Sequence, residues 1–65
     1  MQTWTVYPNL KGTDGRDFQA EKLEVTASGA LLFYVTAPNG DQVIRYVIPP
    51  NAYAYCVQGL SLIHI

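Results

Sequence analysis

Cys56 is the only cysteine in the 65 residues, and His64 is the only histidine. No disulfide can form within one chain. The two residues together cannot supply the four Cys/His ligands of a structural zinc site, nor the three of a catalytic one. Charge is also sparse. Asp, Glu, Lys and Arg make up 14% of the chain, against roughly 25% in an average domain. The net charge of −1 withholds the basic face of a dedicated nucleic-acid binder. No apolar run approaches the ~20 residues of a membrane-spanning helix. Residues 1–30 carry neither the basic n-region nor the apolar h-region of a signal peptide. No cofactor, no membrane and no nucleic acid is therefore expected as a partner. A lone free cysteine fits a reducing cytoplasm.

A chain of this length is one domain, and it buries only about 60% of the surface its unfolded form exposes. Small domains compensate with disulfides, a metal or oligomerisation. The first two lack their ligands here, so a homo-oligomer is expected unless the core is unusually good. Core material is plentiful, since hydrophobic residues form 49% of the chain. That is far from a disordered composition.

The hydrophobic pattern reads as strand after strand. In TWTVY (3–7), Trp4 and Val6 share one face. PNLKGTDGRD (8–17) is a turn-rich connection. FQAEKLEVTA (18–27) reads as a strand with a flaw: Phe18 and Ala20 have one parity, Leu23 and Val25 the other. A β-bulge near Glu21–Lys22 would put all four on one side; the alternative is a short helix over 17–24. ASG (27–29) is a turn, and ALLFYVTA (30–37) and QVIRYVI (42–48) are the strongest strands. Asn39-Gly40 between them predicts a type I′ hairpin. That register sets Leu31 opposite Ile48 and Tyr34 opposite Arg45. One face then carries Leu31, Phe33, Val35, Ile44, Tyr46 and Ile48; the other carries Leu32, Tyr34, Thr36, Val43, Arg45 and Val47. Consecutive prolines end the strand, and AYAYCVQ (52–58) alternates again. The expected fold is all-β: a small antiparallel five-stranded sheet, curled or closed into an SH3-like barrel, and oligomeric.

Catalysis by a nucleophile needs an adjacent base. Cys56 lies on the small-residue side of its strand with Ala52 and Ala54, the setting of a buried, inert thiol. Asp14, Asp17, Glu21, Glu24 and Asp41 show no obvious acid–base couple. A non-enzyme is expected. KGTDGR (11–16) is the more suggestive stretch. Its glycines let backbone N–H groups converge as an anion-binding nest, with Lys11 and Arg16 beside them; the bland reading is a solvated turn. The candidate ligand-binding set is Lys11, Gly12, Thr13, Gly15 and Arg16, with Arg45 and the tyrosines Tyr34, Tyr53 and Tyr55 as a stacking platform. A tyrosine-rich subunit interface is the competing use.

From FQAEKLEVTASGALLFY through VIRYVIPPNAYAYCV, with Ala20, Val25, Gly29, Leu31, Phe33, Tyr34 and Val57 at the marked positions, the chain resembles small uncharacterised β-proteins of tailed phages and actinobacterial prophages. It departs from that pattern in having Tyr55-Cys56 where a tryptophan is expected. The resemblance implies a phage-type origin and a small β-fold in the cytoplasm of an infected bacterium. It implies no activity. Among small phage proteins that are non-enzymatic, oligomeric and β-rich, one known role is to sequester host defence signals, typically nucleotide derivatives, and that role is the expectation here. Alternatives are an SH3-like module that binds a host protein or nucleic acid, and a minor virion component. The last residues, LSLIHI (60–65), resemble a translated transposase mosaic end, the adapter of sequencing libraries (CTG TCT CTT ATA CAC ATC). Residues 1–59 are then the β domain and 60–65 a non-native tail from assembled environmental DNA. A native sixth strand is the alternative.

Overall fold

A computed structural model describes residues 1–58 of the chain; the adapter-like stretch 60–65 lies outside the described residues. Six strands are found among them, and no helix: β1 (Gln2–Tyr7), β2 (Arg16–Ala20), β3 (Lys22–Val25), β4 (Leu31–Thr36), β5 (Gln42–Ile48) and β6 (Tyr55–Gln58). They pair antiparallel in two three-stranded sheets, β2–β1–β6 and β3–β4–β5. The all-β, antiparallel architecture is as the alternation predicts. The single five-stranded sheet and the closed barrel are not, because two segments behave differently from expectation.

The first is 18–27, which is two strands in two sheets. β2 pairs with β1, placing Phe18 opposite Trp4, whereas β3 pairs with β4, placing Leu23 opposite Phe33. The parity break at Glu21 is resolved by a corner at which the chain changes sheets. Two bonds to β4 fix that corner: the Glu21 N–H donates to the Tyr34 carbonyl at 2.8 Å, and the Thr36 N–H donates to the Glu21 carboxylate. Hydrogen bonding from Thr36 holds the Glu21 carboxyl below its ordinary range. Phe18, Ala20 and Leu23 all reach the core as expected. Val25 stays 49% exposed.

The second is the β4–β5 hairpin. Leu31, Leu32 and Phe33 lie opposite Ile48, Val47 and Tyr46 as predicted, but Tyr34 lies opposite Ile44, not Arg45. Arg45 is the extra residue of a β-bulge. The turn explains the offset. Gly40 has φ +93°, and Asn39 is not in the left-handed region, so the loop is not type I′. The Gly40 N–H bonds the Ala37 carbonyl at 2.8 Å, and the Ala37 N–H bonds the Asp41 carbonyl at 2.7 Å. This is a three-residue loop, Pro38-Asn39-Gly40, with glycine at its left-handed position. A two-residue turn would put Pro38 in the ladder, where it has no N–H to give. The bulge then restores the register for the inner half of the hairpin. Ile44 therefore shares the outer face with Tyr34 and is not a core residue, while Val43 pairs with Val35.

The last strand also starts later than the alternation suggests. The turn after Pro49 runs on, with the Ala52 N–H bonded to the Pro49 carbonyl at 3.1 Å, and pairing to β1 begins at Tyr55.

The core sits between the sheets and is small: Trp4, Val6, Ala20, Leu31, Phe33 and Cys56. Aromatic rings hold the two layers together. Phe33 from β4 is fully buried, stacks on Phe18 at 5.3 Å and meets Trp4 edge-on at 5.7 Å. Tyr46 meets Phe18 edge-on at 5.0 Å. Such offset and edge contacts satisfy the ring quadrupoles and add to the burial term.

Candidate functional site

The nine residues suggested as ligand contacts fall in three places. Lys11, Gly12, Thr13, Gly15 and Arg16 stay together in and beside the β1–β2 connection, which is organised from within by Asn9. The Asn9 Oδ1 accepts the Lys11 N–H at 2.9 Å and the Thr13 N–H at 3.4 Å. Its Nδ2 donates to the Thr13 carbonyl at 3.2 Å and hydroxyl at 3.0 Å. Converging N–H groups are thus present, but they converge on the chain's own amide oxygen. Asp14 follows with φ +61°, the one non-glycine residue with positive φ among the described residues; a short polar side chain tolerates this. The loop lies against a tyrosine pair. Tyr7 and Tyr55 stack at 4.8 Å and 23°, and a Cβ at Gly15 would meet the Tyr7 ring at 2.5 Å, one at Gly12 the Tyr55 hydroxyl at 2.9 Å. Tyr55 therefore belongs with this loop.

Tyr34 belongs to the outer face of β3–β4–β5. Its hydroxyl donates to Glu24 Oε1 at 2.9 Å, and Lys22 Nζ lies 5.3 Å from its ring centroid. The bond to the Glu24 carboxylate, with desolvation next, pushes the Tyr34 phenol above its ordinary range. Arg45 reaches along β5, its guanidinium 5.4 Å from the Tyr46 ring centroid, a cation–π distance. Tyr53 is in the third place. It packs on the core and donates its hydroxyl to the Gly29 carbonyl, tying the β5–β6 connection to the β3–β4 turn. Within one chain, then, Tyr34, Arg45 and Tyr53 do not join the loop at a common point.

A cleft of about 180 Å³ opens where the seam between the sheets meets that loop. Val6, Pro8, Phe18, Ile48 and Pro49 wall it, and Asp14 and Arg16 are its charged residues. Both are exposed, so the charges stand on its solvent side. The volume is below the roughly 300–1,000 Å³ of a drug-sized ligand site. It is close to the ~150 Å³ that accommodates benzene in an apolar protein cavity. The space is thus on the scale of a small planar ring system, with Arg16 and Asp14 at its open side. Sequence reasoning selected Arg16 and missed the rest, because the walls come from β1, β2 and the end of β5, and only folding brings them together.

Among the described residues no group of three or more His, Cys, Asp and Glu side chains is placed to hold a metal ion, and no helix is long and apolar enough to cross a membrane. Cys56 is free and buried, and desolvation pushes its thiol up to about 11. Asp17 accepts the Thr5 hydroxyl across β1 and β2 at 2.7 Å, so that carboxylate serves the sheet. No protein-family model, curated protein or solved structure matches the chain.

Proposed function

We propose that the chain is a non-enzymatic, phage-type binding protein that captures a nucleotide-derived host defence signal in the cytoplasm of an infected bacterium, working as a homo-oligomer. The observation that carries this is the ring-sized apolar cleft with Arg16 on its open side. A nucleobase enters between Phe18, Pro8 and Pro49; the Asp14 carboxylate accepts from its amino group; the phosphate stays in solvent against Arg16, within the loop that also carries Lys11. Guanidinium suits this role because its fixed donors match phosphate oxygens. A capture protein needs no nucleophile, and the buried, protonated state of Cys56 supports a non-enzymatic reading.

Calorimetric titration against a panel of cyclic and ADP-ribose-type nucleotides tests the proposal. A charge-assisted hydrogen bond contributes about 1.5–3 kcal/mol. Arg16→Ala is therefore expected to weaken binding about 10- to 150-fold. If the wild-type protein binds no member of the panel, the capture reading fails. The protein-binding reading, a module or minor virion component, then takes its place. It has its own support in the exposed apolar residues Ile44 and Val47 on the outer face of β3–β4–β5.

A further inference from the structure

We infer that the outer face of β3–β4–β5 packs against the same face of a second copy about a two-fold axis, with Lys22 of each copy facing Glu24 of the other. This rests on the homo-oligomer part of the proposed function and is independent of the ligand.

The register defines the face. Two rows cross the three strands: Glu24, Leu32, Val47 and, one step along, Lys22, Tyr34, Ile44. Ile44 is 50% exposed and Val47 57%. Each row has a charged residue on β3, an apolar or aromatic one on β4 and a β-branched aliphatic on β5, and the two charges are opposite. A two-fold interface must be self-complementary. An axis lying between the two sheets, at right angles to the strands and passing between the rows, lays each row on the other row of the second copy. Glu24 then meets Lys22, Leu32 meets Tyr34, and Val47 meets Ile44, each contact occurring twice. An axis running along the strands would instead set β3 over β5 and press Lys22 and Glu24 onto Ile44 and Val47. Unpaired charges against apolar surface are costly, so the charge pattern selects the first axis.

Two further features favour a second copy, face to face. Lys22 and Glu24 are already held on Tyr34, the one over its ring and the other by its hydroxyl. Ordering them at an interface therefore costs little additional side-chain entropy. Edge-to-edge pairing through β5 is discouraged by the Arg45 bulge, a device that blunts sheet edges. The core formed by the described residues is small, and a domain of this size gains from further burial.

Light scattering with sedimentation equilibrium tests the arrangement in five samples: wild type, Lys22→Glu, Glu24→Lys, an equimolar mixture of those two, and the double exchange Lys22→Glu/Glu24→Lys. The wild type is expected at twice 7.2 kDa. Each single variant sets like charges against each other twice per dimer and should raise the dissociation constant roughly tenfold or more. The mixture and the double exchange should both restore the dimer. Circular dichroism checks that each variant folds, which is expected because both side chains are exposed; Val47→Asp provides a second probe outside the charged pair. A wild-type monomer at millimolar concentration overturns the oligomer itself and leaves the capture proposal standing. A wild-type dimer insensitive to the charge reversals and to Val47→Asp overturns this face while keeping the oligomer. Loss in the single variants without rescue in the mixture overturns the reciprocal pairing.

Discussion

Replacing Gly15 by alanine sets two effects of opposite sign against each other, and the structure decides between them. Gly15 is not among the residues with positive φ, so alanine meets no backbone penalty there. On backbone entropy alone the change should stabilise by about 0.4–1 kcal/mol, because the unfolded chain loses freedom. The added Cβ, however, would lie 2.5 Å from Tyr7 Cε1, 2.9 Å from Tyr7 Cδ1 and 3.0 Å from Thr5 Cγ2. Carbon atoms in contact prefer about 3.5–4.0 Å, so the ring would have to withdraw by roughly 1 Å. It cannot do so freely, since Tyr55 is stacked on it at 4.8 Å. Overpacking of this kind costs about 1–3 kcal/mol, and the net expectation is destabilisation by about 1–2 kcal/mol.

In a domain of this size, 1 kcal/mol corresponds to about 4–8 °C in Tm, so Gly15→Ala should melt about 5–15 °C below the wild type by circular dichroism. A double-mutant cycle isolates the cause. In a Tyr7→Ala background the clash is gone, and Gly15→Ala should become neutral or stabilising. The result that refutes the reasoning is a Gly15→Ala protein as stable as the wild type, or a coupling to Tyr7 below about 0.5 kcal/mol, the range of independent sites. Gly40→Ala is the contrasting control: no atom lies within 4 Å of its Cβ and its φ is +93°, so its loss, about 1–2 kcal/mol, should be independent of any neighbour.

Two other outcomes follow from the core. Phe33 is fully buried between Trp4, Phe18 and Tyr46, and Phe33→Ala should cost about 3–5 kcal/mol. That is a large part of the roughly 3–10 kcal/mol available to a domain this small, so near-ultraviolet circular dichroism should show the variant largely unfolded at 25 °C; a cooperative, near-native melt would contradict the core assignment. Burial raises the Cys56 thiol from 9.0 to about 11, which means the folded state holds this proton more tightly than the unfolded one. Its contribution is complete below pH 9 and is lost as pH rises towards 11. Urea titrations across that window should show a steeper decline for wild type than for Cys56→Ala, and parallel curves would show that the thiol is not desolvated.

Most of the strands were legible because alternation is a property of the chain alone. β1 and β5 begin and end within a residue of where period-two patterning puts them. What misled was reading Asn39-Gly40 without Pro38. The dipeptide has the chemistry for a type I′ turn, but the residue before it has no N–H, and a missing donor in the closing pair outweighs a favourable turn propensity. At Glu21 the sequence announced a break in parity without saying how large it was. A bulge keeps both halves in one sheet and a corner sends them to two. The choice is made by β4, whose Tyr34 carbonyl and Thr36 N–H both bond to Glu21. The loop at 11–16 was readable as a backbone nest; that Asn9 would fill it was not, since Asn-x-x-x-Thr is commonplace.

The cleft and the outer face meet back to back on β5, and this gives the Arg45 bulge a second significance. Ile48 lines the cleft, while its neighbour Val47 lies opposite Leu32 on the outer face. A slip of one residue would exchange them, turning Val47 into the cleft and Ile48 outward. The turn at Pro38 imposes just such an offset on the distal half of the hairpin, where Tyr34, Val35 and Thr36 pair with Ile44, Val43 and Gln42. Arg45, as the one extra residue, absorbs it before the ladder reaches Tyr46. From there on Phe33, Leu32 and Leu31 are in register with Tyr46, Val47 and Ile48. Phe33 and Tyr46 can then join Phe18 in the core, and Phe18 in turn forms a wall of the cleft. The bulge confines the consequences of a proline-dictated turn to the distal half of the hairpin, where the offset puts Ile44 in place of Arg45 beside Tyr34 on the outer face, and it leaves Ile48 in register at the cleft.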